Sequence, residues 1–292
     1  MTGEKTAKKD RDPIMMICGV IFLIAAIIAV GAFINNEYLA DNSDVISNGD
    51  KVSVNYTGTF YDEFGQEKAV VFDTSFSNVA NDDNIAKSND FTKKSSYSPL
   101  SFTVGSGSML AAFEKSVIGK KVGDVYDIEL KVSEGYVGAD TRGTLDVDDN
   151  MMEASFEMPK AEFTSAYSDV TLKEGVMVPF KTKYSWDGVA TLVGNSVLVS
   201  YLPENTSYEV YSEGDTKVTY IVTSVEDNVI HYVIQIDNPV YVSGSEIQMI
   251  KLDLGFKTIY ITSIDNGVIE YKEGKETTNQ VLFFHIEIVS IN

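Results

Sequence analysis

The chain has 292 residues, with 23 lysines and arginines against 43 aspartates and glutamates, a formal net charge of −20. That balance excludes the basic face by which proteins hold nucleic acid, and it keeps a soluble body dispersed. A single cysteine, Cys18, excludes a disulfide framework and a thiolate metal site, and two histidines, His231 and His285, are too few for a histidine-based metal site or a Ser-His-Asp triad. No metal or cofactor is expected.

Residues 14–34 are uncharged and mostly apolar. As a helix they would be about 31 Å long at 1.5 Å per residue, close to the hydrocarbon thickness of about 30 Å. Lys5, Lys8, Lys9 and Arg11 precede the run, whereas Glu37, Asp41 and Asp44 follow it. The positive-inside rule then predicts a cytoplasmic tail over 1–12 and a transmembrane helix over 13–35. It places an acidic tether over 36–47 and everything beyond outside the cytoplasm. A cleaved signal peptide ending near Ala29–Ala32 is the alternative reading.

From Lys51 the texture changes to strands. Val52, Val54 and Tyr56 alternate with Ser53, Asn55 and Thr57, and a second strand spans Ala69–Phe72 after a turn at Glu63–Gly65. Ser77–Ser98 is polar and reads as a long surface loop. Leu100, Phe102 and Val104 alternate again. Met109–Val117 predicts a short helix with Leu110, Phe113 and Val117 on one face, ended by Gly119. Val125–Val132 is another strand, and Asp140–Asn150 an acidic loop.

Residues 160–280 read as almost entirely β. Three look-alike stretches, Val189–Tyr201, Tyr220–Tyr232 and Ile259–Tyr271, each hold a strand, a polar turn rich in Asn, Asp or Gly, and a second strand. Such turns need residues that tolerate positive φ, so each stretch predicts a hairpin. The irregular spacing argues against a propeller or solenoid. Leu282, Phe284, Ile286 and Ile288 then make one apolar face of a final strand. Asn-x-Ser/Thr sites fall at Asn55, inside a predicted strand, and at Asn205, in a predicted turn.

The ordered segments Val52–Gly58, Val71–Ser75, Pro99–Asp124 and Ser133–Tyr136 resemble the FKBP family of peptidyl-prolyl cis-trans isomerases. The resemblance implies a mainly β (α+β) fold, an antiparallel sheet wrapped on a short helix. The FKBP-like domain would occupy 48–150 and 279–292. A β-rich insert over 151–278 would then give the layout of long-type members, which carry a chaperone-like domain in the flap. Carried over residue by residue, it implies a proline pocket lined by Tyr56, Phe72, Leu100, Met109, Leu110, Phe113, Tyr136 and Phe284. Phe113 would be the floor, Leu110 would lend its N–H, and Tyr136 its hydroxyl, to the substrate backbone. Asp73, held by Tyr56, would place a carboxylate near the twisting carbonyl. The family usually has Trp at the position of Phe113, which implies reduced activity, and no histidine-rich tail is present to bind nickel.

The expectation is a membrane-anchored, extracytoplasmic prolyl isomerase and folding helper whose partners are unfolded proteins with X-Pro bonds. Two alternatives stand beside it. One is a non-catalytic holdase that binds clients through exposed edges and aromatics of the insert (Tyr208, Tyr211, Tyr220, Tyr232, Tyr241). The other is a structural cell-surface β-protein.

Overall fold

A computed structural model describes residues 45–139 and 141–292. The expected cytoplasmic tail, the span over 13–35 and most of the tether lie outside the described residues. Among the described residues no helix is long and apolar enough to cross a membrane.

The first sheet is antiparallel, in the order β2 (Val70–Thr74), β1 (Lys51–Phe60), β18 (Leu282–Ile291), β4 (Val125–Leu130). One edge of β1 is shared: residues 57–60 pair with β2, and residues 51–54 pair with β3 (Leu100–Thr103). The other edge pairs with β18, from Val52 opposite Ile291 to Thr59 opposite Phe283. The period-two pattern predicted for β18 is seen directly, with Leu282, Phe284, Ile286 and Ile288 buried and the residues between them turned outward. These side chains close on α2 (Ala111–Ser116), shorter than the predicted helix, which buries Phe113 and is followed by buried Val117. Gly119 takes φ +82, the left-handed geometry expected of a helix stop.

Leu130 at the end of β4 lies opposite Leu282 at the start of β18. Everything from 131 to 281 is therefore an excursion that leaves and re-enters the first sheet between neighbouring strands. Most of it builds three further antiparallel sheets. With β8 (Met177–Lys181), β11 (Ser207–Glu213) and β14 (Tyr241–Ser243) at the free edges, their orders are β7-β10-β9-β8, β11-β12-β13-β6 and β14-β15-β16-β17-β5. The three look-alike stretches are the central hairpins of these sheets: β9–β10 (Asp187–Val193, Ser196–Leu202), β12–β13 (Thr216–Glu226, Val229–Asp237) and β16–β17 (Thr258–Asp265, Val268–Glu273). Their two-residue turns use positive φ at Gly194, at Asp227 and Asn228, and at Asn266 and Gly267. Three short strands, β5 (Arg142–Asp146), β6 (Asn150–Glu153) and β7 (Ser155–Pro159), then stitch the sheets together. β5 pairs with β17, β6 with β13 and β7 with β10, so each sheet ends on one of them.

Four expectations are corrected. Residues 142–146 of the expected acidic loop are a strand, β5, because Leu145 turns inward to the core while Thr144 and Asp146 face out. Ser77–Ser98 holds a helical turn, α1 (Ser77–Asn81), that buries Val79 and Ala80, and Lys87 bridges to Val71. A third helix, α3 (Lys160–Ala166), interrupts the β texture and buries Phe163 completely. Tyr220 and Tyr232 are not exposed. They stack at 5.1 Å inside the insert core, beside Trp186 stacked on Tyr184 at 4.7 Å, while Tyr208 and Tyr211 are half-buried and Tyr241 is exposed.

The insert core and the first-sheet core meet at β15 and β16. Met249 of β15 (Glu246–Asp253) and Tyr260 of β16 are buried in the first-sheet core, and the Met249 N–H donates to the Tyr61 hydroxyl at 3.0 Å.

Candidate functional site

The pocket residues come from four strands, the turn before α2 and α2 itself. β1 supplies Tyr56, β2 supplies Phe72 and Asp73, β3 supplies Leu100, and β18 supplies Phe284. The turn before α2 adds Met109 and Leu110, and α2 itself adds Phe113. The structure brings the aromatic members together edge-on. Phe113 lies 5.2 Å from Phe284, Phe284 lies 5.6 Å from Phe72, and Tyr56 lies 6.3 Å from Phe113, between ring centres. Phe113 and Phe284 are buried as a floor, while Tyr56, Phe72, Leu100, Met109 and Leu110 are half-buried as its walls. Such edge-to-face sets are favourable beyond their burial. They also make an apolar surface for a small ring. Phe72 reaches Phe284 only because its ring lies over Gly58, where a Cβ would meet Phe72 Cζ at 2.5 Å.

The polar part sits on the rim. The Tyr56 hydroxyl donates to Asp73 Oδ2 at 2.5 Å, and the Thr74 N–H donates to Asp73 Oδ1 at 2.8 Å. Burial, then the bond to Asp73, pushes the Tyr56 phenol well above its ordinary value, so it stays protonated as the donor. Behind it, Ser75 Oγ accepts the Tyr56 N–H at 2.8 Å.

Tyr136 is 45% exposed, and its phenol is pushed up by partial burial and by the Asp73 charge, which places it within that carboxylate's field. Its carbonyl accepts the Asn279 N–H at 2.9 Å. At the start of α2, the Leu110 carbonyl accepts the Glu114 N–H at 2.9 Å. Among the described residues the Leu110 N–H has no protein acceptor, so it is available to a ligand carbonyl.

Two residues of the site were not found by sequence reasoning. Lys94, from the long loop, places Nζ 2.6 Å from Asp73 Oδ1 and 3.3 Å from the Thr74 carbonyl. Nothing in a polar loop with adjacent lysines singles it out. Glu114 turns its carboxylate back under the loop before α2 and accepts the N–H groups of Gly105, Gly107, Ser108 and Met109 at 3.1–3.3 Å. Burial opposes its charge, but these backbone bonds outweigh burial and hold the carboxyl below the ordinary glutamate value. A Gly-Ser-Gly-Ser run followed by an acid inside the next helix was the available signal, since such a loop leaves N–H groups to satisfy.

A cleft of about 220 Å³ opens on the rim beside Tyr56, Leu100, Lys94, Tyr97 and Pro99. A larger cleft of about 420 Å³ lies between the first sheet and the insert, at Tyr61, Ile247 and Phe283. It contains none of the aromatic floor, so chemistry rather than size places the site. Among the described residues no group of acidic, histidine or cysteine side chains is arranged to hold a metal. The residues that converge here can bind an apolar ring and present donors to a backbone carbonyl.

The family described as FKBP-type peptidyl-prolyl cis-trans isomerase matches residues 43–158. A Methanocaldococcus jannaschii protein named short-type peptidyl-prolyl cis-trans isomerase is 30% identical over 115 residues, covering 39% of this chain and 66% of that protein. The chain thus spans just under two thirds of that relative's length. The matched span takes in β1–β4 of the first sheet and runs on into the stitching strands β5–β7, while β18, which completes that sheet, lies far beyond it.

Proposed function

We propose that the chain is a peptidyl-prolyl cis-trans isomerase acting through the Phe113 pocket. The observation that carries this is the convergence of Phe113, Phe284, Phe72 and Tyr56 beneath the Tyr56–Asp73 hydrogen bond. An X-Pro bond rotates over tens to hundreds of seconds because rotation breaks amide resonance. A catalyst for this step needs no nucleophile. It needs to bind the twisted amide more tightly than either planar form.

Twisting drains negative charge from the carbonyl oxygen, and a water-poor aromatic floor under the proline ring favours that less polar state. The Leu110 N–H and the Tyr136 hydroxyl hold the neighbouring substrate backbone. Asp73, acceptor to Tyr56, faces the twisting carbonyl. A barrier lowered by about 5–8 kcal/mol corresponds to roughly 10³–10⁶ in rate.

Protease-coupled or NMR-exchange assays of the full chain with short X-Pro peptides test this. Acceleration lost in both Phe113→Ala and Asp73→Ala supports the assignment. A folded chain that leaves the uncatalysed rate unchanged overturns it.

The wider proposal is a long-type organisation, with the excursion 131–281 as an insert in the flap, tethered by the apolar run 14–34 and facing out of the cytoplasm. Its substrates would be unfolded or partly folded proteins with X-Pro bonds. The support is the apolar N-terminal run with its charge asymmetry, and the re-entry of the chain at Leu282 opposite Leu130.

A second reading, client holding by the insert, is favoured by one observation. Met177, Val193, Leu198 and Leu202 are all exposed on the outer face of the β7-β10-β9-β8 sheet. Suppression of aggregation of a proline-free client, abolished by Leu198→Asp, would support it.

A further inference from the structure

Both polar rims of the pocket lead to the same short segment of the insert. On one side, the loop after Lys87 turns against the insert at Asn89 and Asp90 before returning to Asp73. Asn89 Nδ2 donates to the Met249 carbonyl at 2.8 Å and to Glu276 Oε1 at 2.9 Å, and the Asp90 N–H donates to Glu276 Oε2 at 2.9 Å. The Asp90 carboxylate in turn accepts Lys251 Nζ at 2.6 Å, the Tyr260 hydroxyl at 2.7 Å and the Glu276 N–H at 3.3 Å. Lys94 follows almost at once and reaches Asp73 Oδ1 at 2.6 Å, its own N–H donated to the Tyr97 hydroxyl at 2.8 Å.

On the other side, the Asn279 N–H donates to the Tyr136 carbonyl at 2.9 Å, and Thr278 bridges to Tyr136. The Asn279 side chain brackets Gly138, accepting its N–H at 3.3 Å and donating to its carbonyl at 3.1 Å.

Lys272 anchors the segment that carries both sets. Lys272 is fully buried, and its Nζ donates to the carbonyls of Glu276 at 2.6 Å and Thr278 at 2.8 Å. Glu276 is 2% exposed. With the Asn89 N–H also donating to Oε1 at 3.3 Å, this buried carboxylate accepts three donors from another segment and is costly to move, because any displacement leaves it unsatisfied.

We infer that Lys272–Asn279 is a clasp through which the insert sets the separation of the two pocket rims, with Glu276 fixing the Lys94–Asp73 rim and Asn279 fixing the Tyr136 rim. Glu276, Asn279 and Lys94 are positioning residues, since the substrate atoms fall to Asp73, Tyr136 and the aromatic floor. The inference rests on the isomerase reading for its kinetic consequence but not for its geometric one. A rim carboxylate and a rim hydroxyl must meet one twisted amide at once, so a shift of about 1 Å in either costs up to about a hundredfold in rate.

The test is made on the full chain with Glu276→Gln, Asp90→Asn and Lys94→Met, with Glu209→Gln as a control in an exposed ion pair of the insert. Glutamine at 276 keeps one acceptor and turns an amide donor toward a donor, so the Asn89–Asp90 contact loosens without loss of volume. Two readouts are taken: kcat and KM for an X-Pro peptide, and the backbone amide resonances of Thr74 and Gly138.

The expected result for Glu276→Gln and Asp90→Asn is a fall in kcat of about tenfold or more, with KM little changed, and displaced Thr74 resonances. Lys94→Met alone and combined with Asp90→Asn should give the same kcat, since both cut one relay. Glu209→Gln should change nothing. If Glu276→Gln does not fold, Asp90→Asn, whose carboxylate is 36% exposed, carries the test alone.

Folded variants with unchanged kcat and unchanged Thr74 resonances overturn the clasp. So do losses that simply multiply in the double variant. A wild-type chain without activity overturns the isomerase reading instead, and the resonances still decide the clasp.

Discussion

The first sheet and the insert are both antiparallel β-structure, yet they are assembled in opposite ways. The first sheet is held by its most distant partners: β1 pairs along its length with β18, the last strand of the chain. The insert is held mainly by neighbours, three hairpins closed by two-residue turns, and only the stitching strands β5–β7 reach further. Local pairs close cheaply, whereas β1 must wait for β18. The polar groups are placed differently too, the insert burying Lys272 and Glu276 at its clasp rather than in its apolar core. The insert core is dominated by apolar and aromatic side chains, with Trp186, Tyr220 and Phe163 fully buried. The first sheet keeps Asp73, Glu114 and Tyr56 at or beside its pocket, where each is engaged in hydrogen bonds. A long-range sheet brings remote residues to one place, and the local sheets give it a fixed surface to brace against.

The largest effect that would break this contrast is removal of β18. A chain ending at residue 281 should lose all isomerase activity and all hydrogen-exchange protection in β1 and β4, while β12, β13 and β16 stay protected. Loss of protection everywhere would show that the two regions fold as one unit. Phe113→Ala comes next. Emptying a buried phenylalanine costs about 3–5 kcal/mol, and Phe113 touches Tyr56, Phe102 and Phe284 but no ring of the insert. Denaturant unfolding should show that loss at the first sheet, with the tryptophan signal of Trp186 in the insert moving less.

Glu114 separates the regions by pH. Its folded carboxyl lies below the ordinary glutamate value of 4.5. A depressed carboxylate stabilises the fold above its unfolded value, and that stability is lost as pH falls from about 4.5 through the folded value. Glu114→Gln should therefore be less stable than the parent at pH 7, with the difference shrinking below that point. Thermal midpoints across pH 3–7 measure it. A constant difference would mean that packing, not charge, is what Glu114 contributes.

What could be read in the sequence follows from the same division. The hairpins were legible because their turns need Asn, Asp or Gly at positive φ, a demand written in adjacent residues. β18 was legible from the alternation of Leu282, Phe284, Ile286 and Ile288. The site residues came from the resemblance rather than from periodicity, since Tyr56 and Phe284 alternate like any strand core. Lys94, Glu276 and Asn279 were not legible, because each acts through a partner far away in the chain, and no local pattern marks a contact of that kind. The 140–150 stretch failed for a related reason: its acidic composition reads as loop, and only Leu145 and pairing with β17 make residues 142–146 a strand.

The smallest expected effect tests the local side of the contrast. Asn266 and Gly267 close β16–β17 with φ of +49 and +80. A Cβ at Gly267 would meet only Val147, at an ordinary 3.5 Å, so backbone strain rather than crowding decides the outcome. Placing a β-branched residue in the left-handed region costs about 1–2 kcal/mol, so Gly267→Val should lower stability by that amount. Gly267→Asn should lose much less, since Asp227 and Asn228 hold two adjacent positive φ values of +51 and +65 in the neighbouring hairpin. Hydrogen exchange should localise the change to β16, β17 and β5 and leave β1 and β18 unaltered. A Gly267→Val chain whose β1 amides also lose protection would show that the clasp after β17 transmits turn strain into the pocket sheet, and the division into a local insert and a long-range pocket would then be too sharp.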